Sequence, residues 1–250
     1  MDMLHAGHIS LVEKSVSEND ITLCSIFVNP AQFNNREDFL KYPKNIDADL
    51  ELLNGANCDM VFLPEEKEMY PEGESREKID LGYITKPMEG EFRPGHFEGV
   101  AQIVRRLTEL VKPHRSYYGE KDYQQLLVVK KLFECKGFDG KVVGCAIKRE
   151  KCGLAMSSRN ERLSEVDKQR ACFIYECLRE ARKMVFHSEP RKVERVMKDR
   201  FKSRPEFDLE YFTIADERTL QPFEGDALEH ARIFTAAHLS GVRLIDNLKV

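Results

Sequence analysis

Between residues 21 and 147, short apolar runs alternate with stretches of helical periodicity. Residues 21–28 (ITLCSIFV) read as a buried strand ended by Asn29-Pro30. Residues 47–64 (DADLELLNGANCDMVFLP) read as a helix, a glycine turn and a strand over about 59–63. Residues 79–85 (IDLGYIT) read as another strand. Residues 101–111 (AQIVRRLTELV) place Ile103, Val104, Leu107, Leu110 and Val111 on one helical face ahead of Pro113. A strand ending in SYYG, a helix over 121–137 closed by Gly137, and the strand KVVGCAI follow. Strand–helix alternation of this kind is buried most readily as an α/β fold, a Rossmann-like doubly wound parallel sheet.

The pattern changes past Asn160. Ser164 is placed to N-cap a helix running to about Val185, and Pro190 to open the next. Three strand-like runs, FDLEYFTIAD, ARIFTAAHL and VRLIDNLKV, close the chain. The expected division is therefore a Rossmann-like α/β domain over 1–155 and a smaller C-terminal α+β domain over 156–250. The chain has 250 residues, 42% of them hydrophobic, enough for two such cores. A net charge of −4 and a pI near 6.0 argue against a nucleic-acid partner. No apolar run approaches the roughly 20 residues that span a bilayer, and no leader pattern is expected at the start. Seven cysteines without a CxxC pair suggest reduced thiols and a cytoplasmic setting rather than a disulfide framework.

Against this frame of elements, His5-Ala-Gly-His8 stands just ahead of an apolar helical run. A helix start presents unpaired N–H groups and partial positive charge, a ready anion site. Gly7 would let a phosphate approach the backbone, and the two imidazoles would stabilise charge growing on phosphorus. Two capping histidines at a surface helix would look the same. GEKDYQQL brings Gly119, Glu120, Lys121, Asp122 and Gln125 to a strand-to-helix junction. AMSSRN offers Met156, Ser157, Ser158 and Arg159 on a loop suited to phosphate oxygens. NPAQFN sets Asn29 and Gln32 at the carboxyl end of a strand, where open α/β sheets bind ligands. RPGHFEGV places Arg93 and His96 in a segment that reads as a lid, or as an ordinary turn.

Taken in order, LHAGHISLV, SIFVNPAQFN, DFLKYPKNIDADLELL, VFLPEEKEMYPEG, MEGEFRPGHFEGVAQIV, YYGEKDYQQL, GLAMSSRN and RLIDN resemble the pantothenate synthetase (pantoate–β-alanine ligase) family over nearly the whole chain. The resemblance implies a two-step ligation. Pantoate carboxylate attacks the α-phosphate of ATP, and the β-alanine amine then displaces AMP from pantoyl adenylate. It implies ATP contacts for Met1, Gly7, Gly119, Glu120, Lys121, Asp122, Met156, Ser157, Ser158 and Arg159, and for Lys148 through its backbone. His5, His8 and Lys121 become the catalytic set, with His8 the family's proton donor. Gln32, Gln125, Asn29, Arg93 and His96 become substrate contacts. Mg²⁺ would accompany ATP, with Asp49 a metal-site candidate, and the molecule would be a homodimer.

The sequence departs from the family in places. The resemblance implies a central strand ahead of this point, so the sheet is expected to lack it. Asp2 stands where the family has Gly, Met3 where it often has Ala, and Cys152 where an Asp is common. Two alternatives remain open on the residues alone: a nucleotidylyltransferase acting on a phosphate acceptor, and a nucleotide-binding homologue without turnover.

Overall fold

A computed structural model describes residues 3–27, 45–70, 79–225 and 227–250. The chain divides into two compact units, one of residues up to 120 plus 124–146, the other of 121–123 plus 147–250. The divide at Ala146–Ile147 falls ahead of the 155/156 boundary drawn from sequence.

In the first unit, helix α1 (Ala6–Glu18) precedes strand β1 (Leu23–Ser25). Helix α2 (Ile46–Gly55) leads into strand β2 (Met60–Phe62), which pairs parallel with β1 from Leu23↔Met60 to Ser25↔Phe62. A parallel pair cannot be joined by a tight turn, and α2 lies in the connection between β1 and β2. Strand β3 (Arg115–Gly119) pairs parallel with β4 (Lys141–Cys145), with helix α6 (Tyr123–Lys136) as the crossover. Among the described residues the two pairs are separate sheets.

Short helices α3 (Glu66–Met69) and α4 (Glu89–Phe92) lie against α5 (His96–Val111). The buried face of α5 (Phe97, Val100, Ile103 and Val104) meets Val128, Val129, Leu132 and Phe133 of α6 in one core. A second cluster joins Leu4, Val12, Cys24, Ile26 and Leu53.

The strand expected over 79–85 is instead a 3₁₀ turn, Gly82–Thr85. Asp80 Oδ1 accepts from the Gly82 N–H at 2.9 Å, and Gly82 takes φ 73°. This local side-chain bond offers the backbone an alternative to a ladder, and glycine permits the left-handed turn.

The second unit is built as its sequence suggested. Helices α7 (Glu165–Met184) and α8 (Pro190–Lys202) cover an antiparallel sheet of β5 (Phe207–Asp216), β6 (Ala231–Leu239) and β7 (Val242–Lys249). Ser164 caps α7 by accepting from the Asp167 N–H at 3.1 Å, and Pro190 occupies the first turn of α8. Ser240 and Gly241, both at positive φ, make the two-residue β6–β7 hairpin. The core is aromatic: Phe173, Phe201, Phe207 and Phe212 pack among Ile174, Leu178, Met197 and Ile233.

Expected reduced throughout, the cysteines include one bonded pair, Cys152–Cys172. The two lie 20 residues apart on a loop and a helix, a pairing no sequence spacing announces.

Candidate functional site

His5 is the N-cap of α1, in extended conformation (φ −137°, ψ 172°). Its Nδ1 accepts from the Gly7 N–H at 3.1 Å. A ring nitrogen that accepts carries no proton, so neutral His5 holds its hydrogen on Nε2. The His5 carbonyl accepts from the His8 and Ile9 N–H groups at 2.8 and 3.0 Å, the first bonds of the helix. His8 thus sits one turn along, with its ring centroid 4.0 Å from that of His5. No acidic side chain stands in the first turn of α1, so the positive end of the helix is not neutralised within it. The two histidines singled out in the sequence are therefore brought together on a helix end that attracts anions.

The segment ahead of them is tied to α2. Asp49 is 2% exposed, and its carboxylate accepts from the backbone N–H groups of Met3 and Leu4 at 2.9 and 2.6 Å. Among the described residues no three His, Cys, Asp or Glu side chains gather as a metal group. Both Asp49 oxygens are thus engaged by backbone amides.

Elsewhere in this unit, Gly119 ends β3, Glu120 follows it, and Gln125 is half-buried on α6. Its neighbour Gln124, which the sequence reading passed over, is 4% exposed. Gln124 Nε2 donates to the carbonyls of Ile84 and Pro87, each at 2.8 Å, and its Oε1 accepts from the Glu89 N–H at 3.1 Å. A signal existed: Gln124, Val128 and Leu132 recur at helical spacing on one buried stripe.

Arg93 and His96 are also brought together. Arg93 Nη1 donates to Glu89 Oε2 at 3.3 Å and lies 3.1 Å from His96 Nε2. His96 is 6% exposed at the start of α5. Met1, Asn29 and Gln32 lie outside the described residues.

In the second unit, the Lys121 side chain is only 17% exposed, with Nζ 3.9 Å from Asp122 Oδ2. The Lys121 carbonyl accepts from Asn247 Nδ2 at 3.0 Å, and Asn247 Oδ1 accepts from Arg232 Nη1 at 2.7 Å. The Arg232 guanidinium also lies 3.8 Å from the Tyr123 ring centroid. The KDY triplet is thus held by the RLIDN strand.

Lys148 and Met156 are adjacent, the Lys148 carbonyl accepting from the Met156 N–H at 3.0 Å. Ser157 caps the 3₁₀ turn Ser158–Arg162 by accepting from the Arg159 N–H at 3.3 Å. Ser158 is buried and Asn160 donates to the Ala155 carbonyl.

The turn before this loop is anchored heavily. Arg149 forks onto Asp246 (2.6 and 2.9 Å), donates to the Gly153 carbonyl, and lies 4.0 Å above Tyr175. Burial lifts the Asp246 carboxyl above its usual range, while Arg149 pulls the other way. Gly153 has φ 100°, and a Cβ there would run into the Tyr175 ring. The disulfide then ties Cys152 to α7.

Burial raises the Cys24 thiol to about 11 and the Cys177 thiol to about 12. Both stay protonated near neutrality, which suits chemistry without a thiolate nucleophile.

The model of the family Pantoate-beta-alanine ligase matches residues 1–249. Pantothenate synthetase of Bacteroides fragilis is 43% identical over 250 residues, spanning 100% of this chain and 88% of that protein. The Christiangramia forsetii enzyme of the same name is 42% identical, spanning 99% and 88%. Among solved structures, pantothenate synthetase from Thermus thermophilus superposes with a TM-score of 0.94 at 41% identity, over 100% of this chain and 90% of that one. The Francisella tularensis pantoate-beta-alanine ligase, complexed with beta-gamma ATP and beta-alanine, gives 0.81 at 35% identity, over 100% and 87%. On sequence and fold alike, this chain belongs to the pantoate–β-alanine ligase family.

Proposed function

We propose that this chain condenses pantoate with β-alanine, converting ATP to AMP and pyrophosphate. Family membership over residues 1–249, joined to an imidazole pair on a helix start with no acidic first turn, carries the reading. A carboxylate resists amine attack because its leaving group would be oxide. Attack of a pantoate oxygen on the α-phosphate expels pyrophosphate and leaves an acyl adenylate. The β-alanine amine then attacks the acyl carbon, the C–O bond to AMP breaks, and the amine loses a proton.

In this reading His5 and His8 meet the phosphates, with Gly7 allowing close approach. The second unit supplies Lys121, Asp122, Lys148 and the loop Met156–Ser157–Ser158–Arg159 to the nucleotide, and Gly119 and Glu120 lead into it. Met1, Asn29, Gln32, Arg93, His96 and Gln125 serve the nucleotide edge and the small substrates. ATP enters as its Mg²⁺ complex, the metal belonging to the substrate. A cytoplasmic homodimer completes the reading; among the described residues no helix is long and apolar enough to cross a membrane.

The test is an assay of purified protein with ATP, pantoate and β-alanine. AMP formed only when all three are present is expected. Transfer of AMP onto a phosphate acceptor, with pyrophosphate as the leaving group and no need for β-alanine, would indicate a nucleotidylyltransferase. ATP binding without turnover would indicate a binding homologue.

A further inference from the structure

Asp49 stands in the first turn of α2, yet its buried carboxylate serves another part of the chain. It receives the N–H groups of Met3 and Leu4, the two residues immediately ahead of His5. Met3 has φ 50°, a left-handed conformation that a side chain disfavours. Such a residue turns successive N–H groups toward one point, the geometry of an anion-binding nest. The anion in it is this chain's own carboxylate. One turn along α2, Leu53 packs in the same apolar cluster as Leu4. Helix α2 therefore grips the segment 3–4 by a charge and by an apolar contact, and the chain passes straight from that grip into the His5 cap.

We propose that Asp49 is a positioning residue for the His5–His8 pair. Its carboxylate fixes the Met3–Leu4 turn, and the turn sets the direction from which the chain enters α1. That direction decides where the His5 Nε2–H and the His8 ring are aimed. The inference rests on the adenylating reading above. It differs from a metal-ligand role, in which the carboxylate would act on the ATP-bound cation.

The variant Asp49→Asn keeps the shape. Its amide accepts one of the two bonds and turns an NH₂ group toward the other donor. Wild-type protein is assayed first for β-alanine-dependent AMP, which tests the reading by itself. For folded D49N, the expected result is a kcat for pyrophosphate release lowered by about tenfold to a hundredfold, the scale of a misplaced catalytic group. The Mg²⁺ concentration giving half-maximal rate should not move. The ¹⁵N ring resonances of His5 should shift even without nucleotide, a readout independent of turnover. A kcat within twofold of wild type, unmoved ring resonances, or activity restored by added Mg²⁺ would each overturn the proposal. If D49N does not fold, hydrogen exchange of the wild-type Leu4 amide decides: protection supports the contact, and exchange at the free-chain rate refutes it.

Discussion

His8 carries the sharpest expectation for a single side chain. It is fixed one turn beyond His5, on a helix end with no acidic residue in its first turn. In the proposed reaction, replacing it with alanine removes one donor to the developing charge. Losing such a donor lowers kcat by roughly 10²–10³. Pyrophosphate release at saturating ATP and pantoate measures it, and an unchanged rate would remove His8 from the chemistry. Gln124 should behave differently. It satisfies two carbonyls and one N–H between Ile84 and Glu89. Leucine of similar size would leave those groups buried without a partner, at about 1–3 kcal/mol each before relaxation. Gln124→Leu should therefore lower unfolding stability by several kcal/mol in urea titration. Retained stability would show that the 84–89 segment does not depend on this side chain.

Individual elements differ in how openly the sequence announces them. Helices with chemical punctuation were legible: Ser164 and Pro190 mark the starts of α7 and α8, and Gly137 at φ 64° marks the end of α6. The three strand-like runs of the second unit were legible as apolar stretches and fall on β5, β6 and β7. Residues 79–85 were misread because their apolar spacing suits a strand, while Asp80 and Gly82 close a turn locally. The histidine pair was legible as a motif, whereas the Asp49 contact was not: it joins residues 45 and 46 apart in sequence.

The Cys152–Cys172 bond was likewise hidden, and it makes a prediction. Closing a loop of 20 residues restricts the unfolded chain, worth about 3 kcal/mol in the chain-entropy model. Cys172→Ser, compared with wild type under oxidising conditions, should lose stability of that order. Under full reduction the two should nearly coincide. Equal stability under oxidising conditions would show that the bond contributes nothing.

The turn after β5 makes a pH-dependent prediction. Its Asp216 carboxyl is held down at about 2 from 3.8, chiefly by its hydrogen bond to Arg218. A depressed carboxylate stabilises the fold above its unfolded value and loses that contribution as pH falls through the folded one. Asp216→Asn should therefore be less stable than wild type at neutral pH. The gap should close between pH about 4 and 2. A gap independent of pH would show that the charge is not its cause.

At the scale of the whole molecule, each unit carries its own set of prepared groups. The first holds the paired imidazoles and the Gln124-clamped segment. The second holds Lys121 and the serine–arginine loop, braced by Arg149–Asp246 and the disulfide. The family match runs through both. The defining event of the proposed reaction is the transfer of a pantoate oxygen to AMP, because that atom bridges carbon and phosphorus in the adenylate and leaves with phosphorus. The direct measurement is a turnover with pantoate ¹⁸O-labelled in its carboxylate, followed by mass analysis of the nucleotide. AMP carrying one ¹⁸O is the expected result. Unlabelled AMP, or ADP in its place, would contradict an acyl-adenylate route.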